Sequence, residues 1–199
     1  MLPNLIILGS MKAGTTSLHA DLSIVRGVYM SENKEPEILL NNSAESILNL
    51  YRNLFLFSGK STFYWGEAST AYTKRKYSEI AARNLHALSG SEKTKLIFVY
   101  RDPIKRAVSQ VKHDLAHGVI TYKNLFSNAY LDEVVSNSDY VNCIKPWLDK
   151  FDIKNFHFIR FEDYISRKSE VIKQTLDFLG LQVGFDNNIQ QETVLNSSS

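Results

Sequence analysis

The feature that most constrains the fold is a glycine-containing loop close to the amino terminus. An apolar run over residues 4–8 has the pattern of a strand buried on both faces, and residues 15–25 carry leucine and valine at helical spacing. Between them lies Gly9-Ser10-Met11-Lys12-Ala13-Gly14-Thr15-Thr16-Ser17. Glycines let the backbone approach a phosphate closely, and amides at a helix amino terminus bind its oxygens. This order of strand, loop and helix favours a phosphate-binding loop over an ordinary tight turn.

The lysine of this loop lies in an unusual place. In the loop of nucleoside triphosphatases, the lysine directly follows the second glycine. Here Thr15 follows Gly14, and the lysine comes two positions before that glycine, at Lys12. The displacement argues against a magnesium-dependent nucleotide or small-molecule kinase, which stays an alternative on the same fold.

The rest of the chain alternates predicted strands with predicted helices. The strands cover residues 28–31, 95–100 and 156–161, and the helices cover 43–57, 72–88, 103 to about 117, 122–135, 138–151 and 162–179. Such alternation predicts an α/β fold with a mostly parallel sheet and helices on both faces. Ligands of these sheets bind at the carboxyl ends of the strands. We expect one domain over residues 1–185 and a polar tail over 186–199.

Composition excludes several classes of protein. The 199 residues carry 23 Lys and Arg against 21 Asp and Glu, a net charge of +2, which argues against a polybasic nucleic-acid binder. Cys143 is the only cysteine, so no internal disulfide can form, and the ligand spacing of a structural zinc site is absent. Neither a membrane-spanning run nor a signal peptide is visible. We therefore expect a cytoplasmic protein with no nucleic-acid or membrane partner.

A second candidate phosphate motif follows the strand at residues 95–100. Arg101 stands at the end of that strand, and Ser109 lies about two helical turns further on. A guanidinium offers forked donors to a phosphate, and a hydroxyl adds a neutral one. The alternative is that Arg101 pairs with a carboxylate and Ser109 packs. Asp102 precedes Pro103 and is interpreted as a helix cap rather than a metal ligand.

Both motifs resemble those of one enzyme family. Lys12-Ala13-Gly14-Thr15-Thr16 resembles the Lys-x-Gly-Thr-Thr loop of sulfotransferases that use 3′-phosphoadenosine 5′-phosphosulfate (PAPS), especially heparan sulfate sulfotransferases and their bacterial relatives. The segment from Arg101 to Ser109 resembles their 3′-phosphate motif. The resemblance implies a three-layer, P-loop nucleotide-kinase-like fold and PAPS as cosubstrate, with no metal. It also implies these nucleotide contacts: Lys12, Ala13, Gly14, Thr15, Thr16, Ser17, Arg101 and Ser109.

The resemblance also implies catalytic roles. Lys12 would stabilise the negative charge that develops on the oxygen between phosphate and the departing sulfuryl group. The segment Asn33-Lys34-Glu35-Pro36-Glu37 resembles the family's Lys-Glu-Pro-His-Phe-Phe, whose glutamate is the catalytic base, so Glu35 is the candidate. An ordinary solvated loop carboxylate is the alternative. Glu37 stands where the family has histidine, so this segment does not predict the identity of the acceptor.

The acceptor side is less well defined. The segment from Glu67 to Tyr72 resembles a family segment that supplies a lysine to the site, but Ala68 occupies that place. The loss of a positive charge favours a neutral or small acceptor, either a small molecule or a carbohydrate, over heparan itself. A non-catalytic nucleotide-binding protein stays a further alternative. Family members usually continue past the segment corresponding to residues 178–181 into a basic loop that closes over the nucleotide. Residues 186–199 do not resemble that loop, so either this is a compact member with a more open site or the sequence stops before the family's last element.

Several other residues receive structural interpretations. His113 and His117 stand one helical turn apart, but without a third ligand a zinc site is not expected. Trp147 is predicted to pack in the core, and Arg160 to pair with Glu162. Lys105, Arg106 and Lys112 are interpreted as a solvated basic face, with Arg106 as a possible further contact to the 3′-phosphate.

Overall fold

A computed structural model describes residues 1–59, 61–91 and 94–181. Its strands are β1 (Leu5–Gly9), β2 (Val28–Met30), β3 (Tyr64–Ala68), β4 (Lys95–Tyr100) and β5 (Phe156–Arg160). Its α-helices are α1 (Thr15–Ser23), α2 (Ala44–Leu54), α3 (Ser78–Ser89), α4 (Pro103–Ala116), α5 (Asn128–Ser136), α6 (Tyr140–Leu148), α7 (Phe161–Ser166) and α8 (Lys168–Leu179). Short 3₁₀ helices cover Ile38–Leu40, Thr70–Thr73 and Ile153–Asn155.

The strands form one parallel sheet in the order β2-β3-β1-β4-β5. The central strand β1 pairs with β3 and with β4, and Leu5 lies opposite both Gly66 and Lys95. Because every strand runs the same way, the loops after β1, β3 and β4 leave from one edge of the sheet. That edge holds the candidate site.

The core occupies both faces of this sheet. Successive residues of β1 point to opposite faces, so Ile6 and Leu8 pack in one apolar cluster while Leu5 and Ile7 pack in the other. The first cluster contains Trp147 of α6, and the second contains Leu18 of α1 and Leu176 of α8. The predicted three-layer α/β fold is confirmed.

The start of α4 has the predicted cap. The side chain of Asp102 accepts a hydrogen bond from the Lys105 amide at 2.8 Å, and Pro103 is the first helical residue. Asp102 is therefore occupied as a helix cap. Among the described residues, none of the helices is long and apolar enough to cross a membrane.

Sequence reasoning missed one strand and predicted three helices wrongly. The strand β3 was not predicted, although it pairs directly with β1. The helix predicted over residues 72–88 is a 3₁₀ turn followed by α3, and the helix predicted over 122–135 begins only at Asn128. The helix predicted over 162–179 is two helices, because the backbone leaves helical geometry at Arg167, with φ −133° and ψ 46°. The proposed boundary between residues 185 and 186 and the tail lie outside the described residues.

Candidate functional site

The glycine loop ends at Gly14, which has φ 82° and ψ 16°. This left-handed backbone suits glycine. Gly14 is the N-cap of α1, and no side chain caps the helix there. The first amides of a helix have no partner within it, so α1 presents donors toward the loop. A phosphate at this helix end would accept those donors.

Lys12 lies within the loop in a strained conformation. Its φ is 66°, a left-handed value that is uncommon for a residue with a side chain, and such strain concentrates at functional sites. Loss of hydration on partial burial lowers the pKa of Lys12, the negative charge of Asp114 opposes that shift, and the positive charge of Arg101 adds to it. The ammonium group therefore lies within electrostatic reach of both side chains.

Ser10 joins the loop to the neighbouring strand. Its amide and its hydroxyl both donate to the carbonyl oxygen of Val99 in β4, at 2.7 and 3.0 Å. Ser10 is buried. The hydrogen bonds from Ser10 to Val99 therefore hold the glycine loop against the end of β4, where the second candidate phosphate motif begins.

Arg101 brings the two phosphate motifs together. Its Nη1 donates to the backbone oxygen of Lys12 at 3.3 Å, and its guanidinium lies over the ring of Phe161, 4.7 Å from the centroid. This geometry is typical of a cation–π contact. The Nε of Arg101 is buried and donates to no described residue. Arg101 is thus held in place, and only one of the five N–H donors of its guanidinium is used by a described residue.

Tyr140 holds the backbone of Arg101, and sequence reasoning missed this role. The Tyr140 hydroxyl donates to the Arg101 carbonyl oxygen at 2.9 Å and accepts from the Arg101 amide at 3.3 Å. Its ring packs edge-on against Phe98, at 5.7 Å between centroids. Tyr140 and Arg101 are 39 positions apart in the sequence, which explains why no local pattern signalled the contact.

Ser109 and Arg106, the other two candidate residues of the second motif, differ in their burial and contacts. Ser109 is half-buried on α4, about two turns beyond Arg101, as the sequence predicted. Arg106, in contrast, is fully buried, and its guanidinium donates to Ser138, Gln110 and the backbone oxygen of Val134 at 2.7 to 2.8 Å. The interpretation of Arg106 as part of a solvated face was wrong, and its donors are already used in the protein.

Glu35 is held at the carboxyl end of β3. Its backbone amide donates to the Ala68 carbonyl oxygen at 2.8 Å, and its Oε2 accepts from the Thr70 amide at 2.6 Å and from the Thr70 hydroxyl at 3.2 Å. Its Oε1 pairs with Lys34. The φ of Glu35 is 60°, again left-handed. Glu35 is therefore a positioned carboxylate at the edge that carries the glycine loop.

Glu67 is a buried carboxyl just behind Glu35. It is fully inaccessible and accepts hydrogen bonds from the hydroxyls of Tyr51, Ser69 and Tyr72. Burial raises the pKa of Glu67 to about 7, the three hydroxyls oppose that shift, and the charge of Glu35 adds to it. The Ser69 hydroxyl also accepts from the Glu37 amide at 3.1 Å, which ties this cluster to the loop that carries Glu35.

The predictions that Trp147 packs in the core and that Arg160 pairs with Glu162 agree with the structure. Trp147 is fully buried, and its indole donates to the Tyr72 carbonyl oxygen at 2.9 Å. Arg160 and Glu162 form an ion pair at 3.4 Å. The rings of His113 and His117 stack at 4.1 Å, and no metal-binding group of three or more His, Cys, Asp or Glu occurs in the described ranges.

A cleft opens beside the glycine loop. This proximal cleft has a volume of about 510 Å³ and is bounded by Met11 of the loop and by residues of α4, α5 and their connection. Asp114 is one of them; it is buried and accepts from the Tyr130 hydroxyl at 2.9 Å. The negative charge of Asp114 also opposes the lowering of the Lys12 pKa.

The parallel sheet and the glycine loop that follows β1 define an α/β domain with a P-loop-like fold. The chain belongs to the sulfotransferase family, because the family described as "Sulfotransferase domain" matches residues 2–198. The mouse and human heparan sulfate glucosamine 3-O-sulfotransferases 3B1 are 28% and 30% identical over 194 and 197 residues. Each alignment covers 91% of this chain and 47% of the relative, so the chain spans about half the length of these proteins.

Solved structures agree on the fold. A sulfotransferase from Alicyclobacillus acidocaldarius matches with a TM-score of 0.79 at 23% identity, covering 96% of this chain and 87% of that one. The mouse sulfotransferase SULT7A1, solved with 3′-phosphoadenosine 5′-phosphate (PAP), matches with a TM-score of 0.60 at 18% identity, covering 92% and 60%. The predicted membership of the sulfotransferase family is confirmed.

Proposed function

We propose that this domain transfers a sulfuryl group from PAPS to a hydroxyl or amine of an acceptor. The observation that carries the proposal is the hydrogen bond from Arg101 to the backbone of Lys12, which joins the two candidate phosphate motifs at one edge of the sheet. A nucleotide with phosphates at both its 5′ and 3′ positions needs two such motifs together. The available donors at the start of α1 and on the Arg101 guanidinium fit those phosphates.

In this proposal different residues contact the 5′-phosphate, the 3′-phosphate and the bridging oxygen of the nucleotide. The amides and hydroxyls of residues 13–17 hold the 5′-phosphate, although the Ala13 amide already donates to the Ser10 carbonyl at 3.3 Å. Arg101 and Ser109 hold the 3′-phosphate. Lys12 approaches the bridging oxygen.

The reaction is an in-line transfer. The acceptor oxygen or nitrogen forms a bond to sulfur while the bond between sulfur and the bridging oxygen breaks. Glu35 takes the acceptor proton, and Lys12 stabilises the negative charge on the phosphate oxygen of departing PAP. A sulfuryl group carries less charge than a phosphoryl group, so no magnesium ion is required on charge grounds.

For the acceptor, we propose a carbohydrate or a small molecule. The relatives named as heparan sulfate sulfotransferases support the carbohydrate class. Ala68 is fully buried in β3, so it supplies no contact at the place where the family supplies a lysine. We also propose a cytoplasmic location, which is consistent with the free thiol of Cys143.

The test of this function is transfer from ³⁵S-labelled PAPS. Lys12→Ala is expected to abolish transfer while the circular dichroism spectrum and melting temperature stay those of the unmodified protein. Lys173→Ala, an exposed lysine on α8, is the matched control and should leave transfer unchanged. Retained activity in Lys12→Ala would contradict the proposal. Calorimetry with PAP against adenosine triphosphate plus magnesium separates it from the kinase alternative.

A further inference from the structure

A second cleft extends the first one away from the glycine loop. This distal cleft has a volume of about 730 Å³ and lies between residues 74–77 and helix α5. It shares Lys74, Ala129 and Glu133 with the proximal cleft, so the two form one continuous groove. Each part has the size of an ordinary small-ligand site. A ligand that binds beside Met11 of the glycine loop in the proximal cleft can therefore extend into the distal one.

A buried polar atom in the distal cleft lacks a partner. Asn137 lines this cleft, is 7% exposed, and its Nδ2 donates to no described residue. A buried amide without a hydrogen bond destabilises the folded state, and native proteins seldom retain one without a reason. An oxygen atom of a bound ligand would satisfy it.

The charges along the distal cleft balance. Three basic side chains, Lys74, Arg75 and Lys76, face three acidic ones, Asp132, Glu133 and Asp139. A polyanion entering this cleft would place its negative groups against those carboxylates, at a cost in repulsion and desolvation. An uncharged polyhydroxyl ligand meets donors and acceptors on both walls without that cost.

The same cleft offers an aromatic surface. Tyr77 is half-buried in its wall, and the Lys76 ammonium lies 5.0 Å from the centre of its ring. A ring face packs against the apolar face of a flat ligand, while its neighbours supply hydrogen bonds. An amide, an aromatic ring and balanced charges together suit a sugar ring without ionic groups.

We propose that the distal cleft is an acceptor subsite for an uncharged sugar ring, with Asn137 Nδ2 donating to one of the ring's oxygens. The acceptor of the sulfuryl group is then an uncharged oligosaccharide that occupies both clefts and meets the glycine loop at Met11. This inference rests on the proposed function, because it assigns a second subsite to the same groove.

The experiment is calorimetric titration of the full chain, saturated with PAP, with tetrasaccharides. The uncharged probes are the β-1,4-linked tetramers of glucose, mannose and N-acetylglucosamine. The polyanionic probe is an unsulfated tetrasaccharide in which every second ring is a uronic acid. We expect at least one uncharged probe to bind about tenfold more tightly than the uronate. Asn137→Ala should weaken that binding at least fivefold without lowering the melting temperature, since the native amide has no partner.

Asn128→Ala is the matched control, because Asn128 is an exposed asparagine on the same helix, outside the lining of both clefts. It should bind the probe like the unmodified protein. The monosaccharide of the same sugar should lose nothing in Asn137→Ala, because it reaches only the proximal cleft. Equal tetrasaccharide affinity in Asn137→Ala, tighter binding of the uronate, or failure of all three uncharged probes would overturn the proposal. Failure to bind PAP at all would instead refute the proposed function.

Discussion

Gly14 lies against the ring of Phe161 so closely that a β-carbon on Gly14 would stand 2.8 Å from one ring carbon and 2.9 Å from another. Phe161 begins α7, directly after β5, and the same ring supports the guanidinium of Arg101. One aromatic side chain therefore contacts both phosphate motifs. The end of β5 contributes to the site through packing, without itself carrying a phosphate-binding group.

This contact predicts the effect of Gly14→Ala. The substitution places a β-carbon against the ring of Phe161. It also puts a side chain on a residue whose backbone is left-handed, which alone costs about 1 kcal/mol. We expect PAP affinity to fall at least about tenfold, because the loop must move to relieve the contact. A tenfold loss corresponds to roughly 1.4 kcal/mol of binding free energy. Calorimetry with PAP and thermal unfolding measure the two effects.

Gly180→Ala separates the two causes. Gly180 has φ 67° and ψ 22°, close to the values of Gly14, but no atom of the described residues lies within 4 Å of its added β-carbon. It should lose stability through the backbone effect alone and keep its PAP affinity. If both variants lose PAP affinity equally, the contact with Phe161 does not shape the loop.

Tyr140→Phe tests whether the Tyr140 hydroxyl positions Arg101. The variant keeps the ring contacts and removes two hydrogen bonds to the Arg101 backbone. We expect PAP affinity to fall about fivefold to tenfold, corresponding to roughly 1 kcal/mol for lost neutral hydrogen bonds. The KM for PAPS should rise while the KM for the acceptor stays constant. Tyr122→Phe, at a tyrosine that is 79% exposed, is the control; a rise in both KM values for Tyr140→Phe would indicate a general structural defect instead.

The sequence is sufficient to predict the parts of the site that lie within one local segment. The loop from Gly9 to Ser17 and the start of α4 each combine a buried strand, a turn and a helix start within about 15 residues. Their chemistry depends on backbone amides and caps that neighbouring residues determine. The predicted order of strand, turn and helix is therefore confirmed for both segments.

Features that depend on distant contacts could not be predicted in this way. The strand β3 contains Glu67, whose burial is possible only because hydroxyls from Tyr51 and Tyr72 reach it from other elements. A carboxylate in the middle of a short segment argues against a buried strand unless those partners are known. The break at Arg167 was missed for another reason, since the apolar pattern of α8 continues that of α7 and periodicity does not show where a helix is interrupted.

Glu67 predicts a pH dependence of stability. Its pKa is raised from 4.5 to about 7 by burial, so between these values the folded protein binds more protons than the unfolded chain. The free energy of unfolding therefore falls as pH rises from about 5 to about 7, by up to about 3 kcal/mol, and then levels off with respect to this group. Urea unfolding at several pH values between 5 and 8.5 measures the slope.

Glu67→Gln should remove most of that slope, because the amide does not titrate but can still accept hydrogen bonds from the surrounding hydroxyls. The groups that face Glu67 are the hydroxyls of Tyr51, Ser69 and Tyr72, together with the charge of Glu35. Burial already holds the pKa of both tyrosines well above 10, so they stay neutral over this range. An unchanged slope in Glu67→Gln would assign the pH dependence to other groups.

Thr70→Val tests whether Thr70 positions the candidate base. The variant removes the hydroxyl that donates to Glu35 Oε2 and keeps the backbone amide that donates to the same oxygen. With one of two donors lost, the carboxylate gains rotational freedom, and we expect kcat to fall about threefold to tenfold since orientation contributes strongly to proton transfer. The KM for PAPS should not change, because Thr70 holds no part of the nucleotide. Thr70→Ser keeps the hydroxyl and should restore most of the lost kcat in assays with labelled PAPS. If Thr70→Ser is as slow as Thr70→Val, the hydroxyl does not position Glu35 and the effect comes from packing around the 3₁₀ turn.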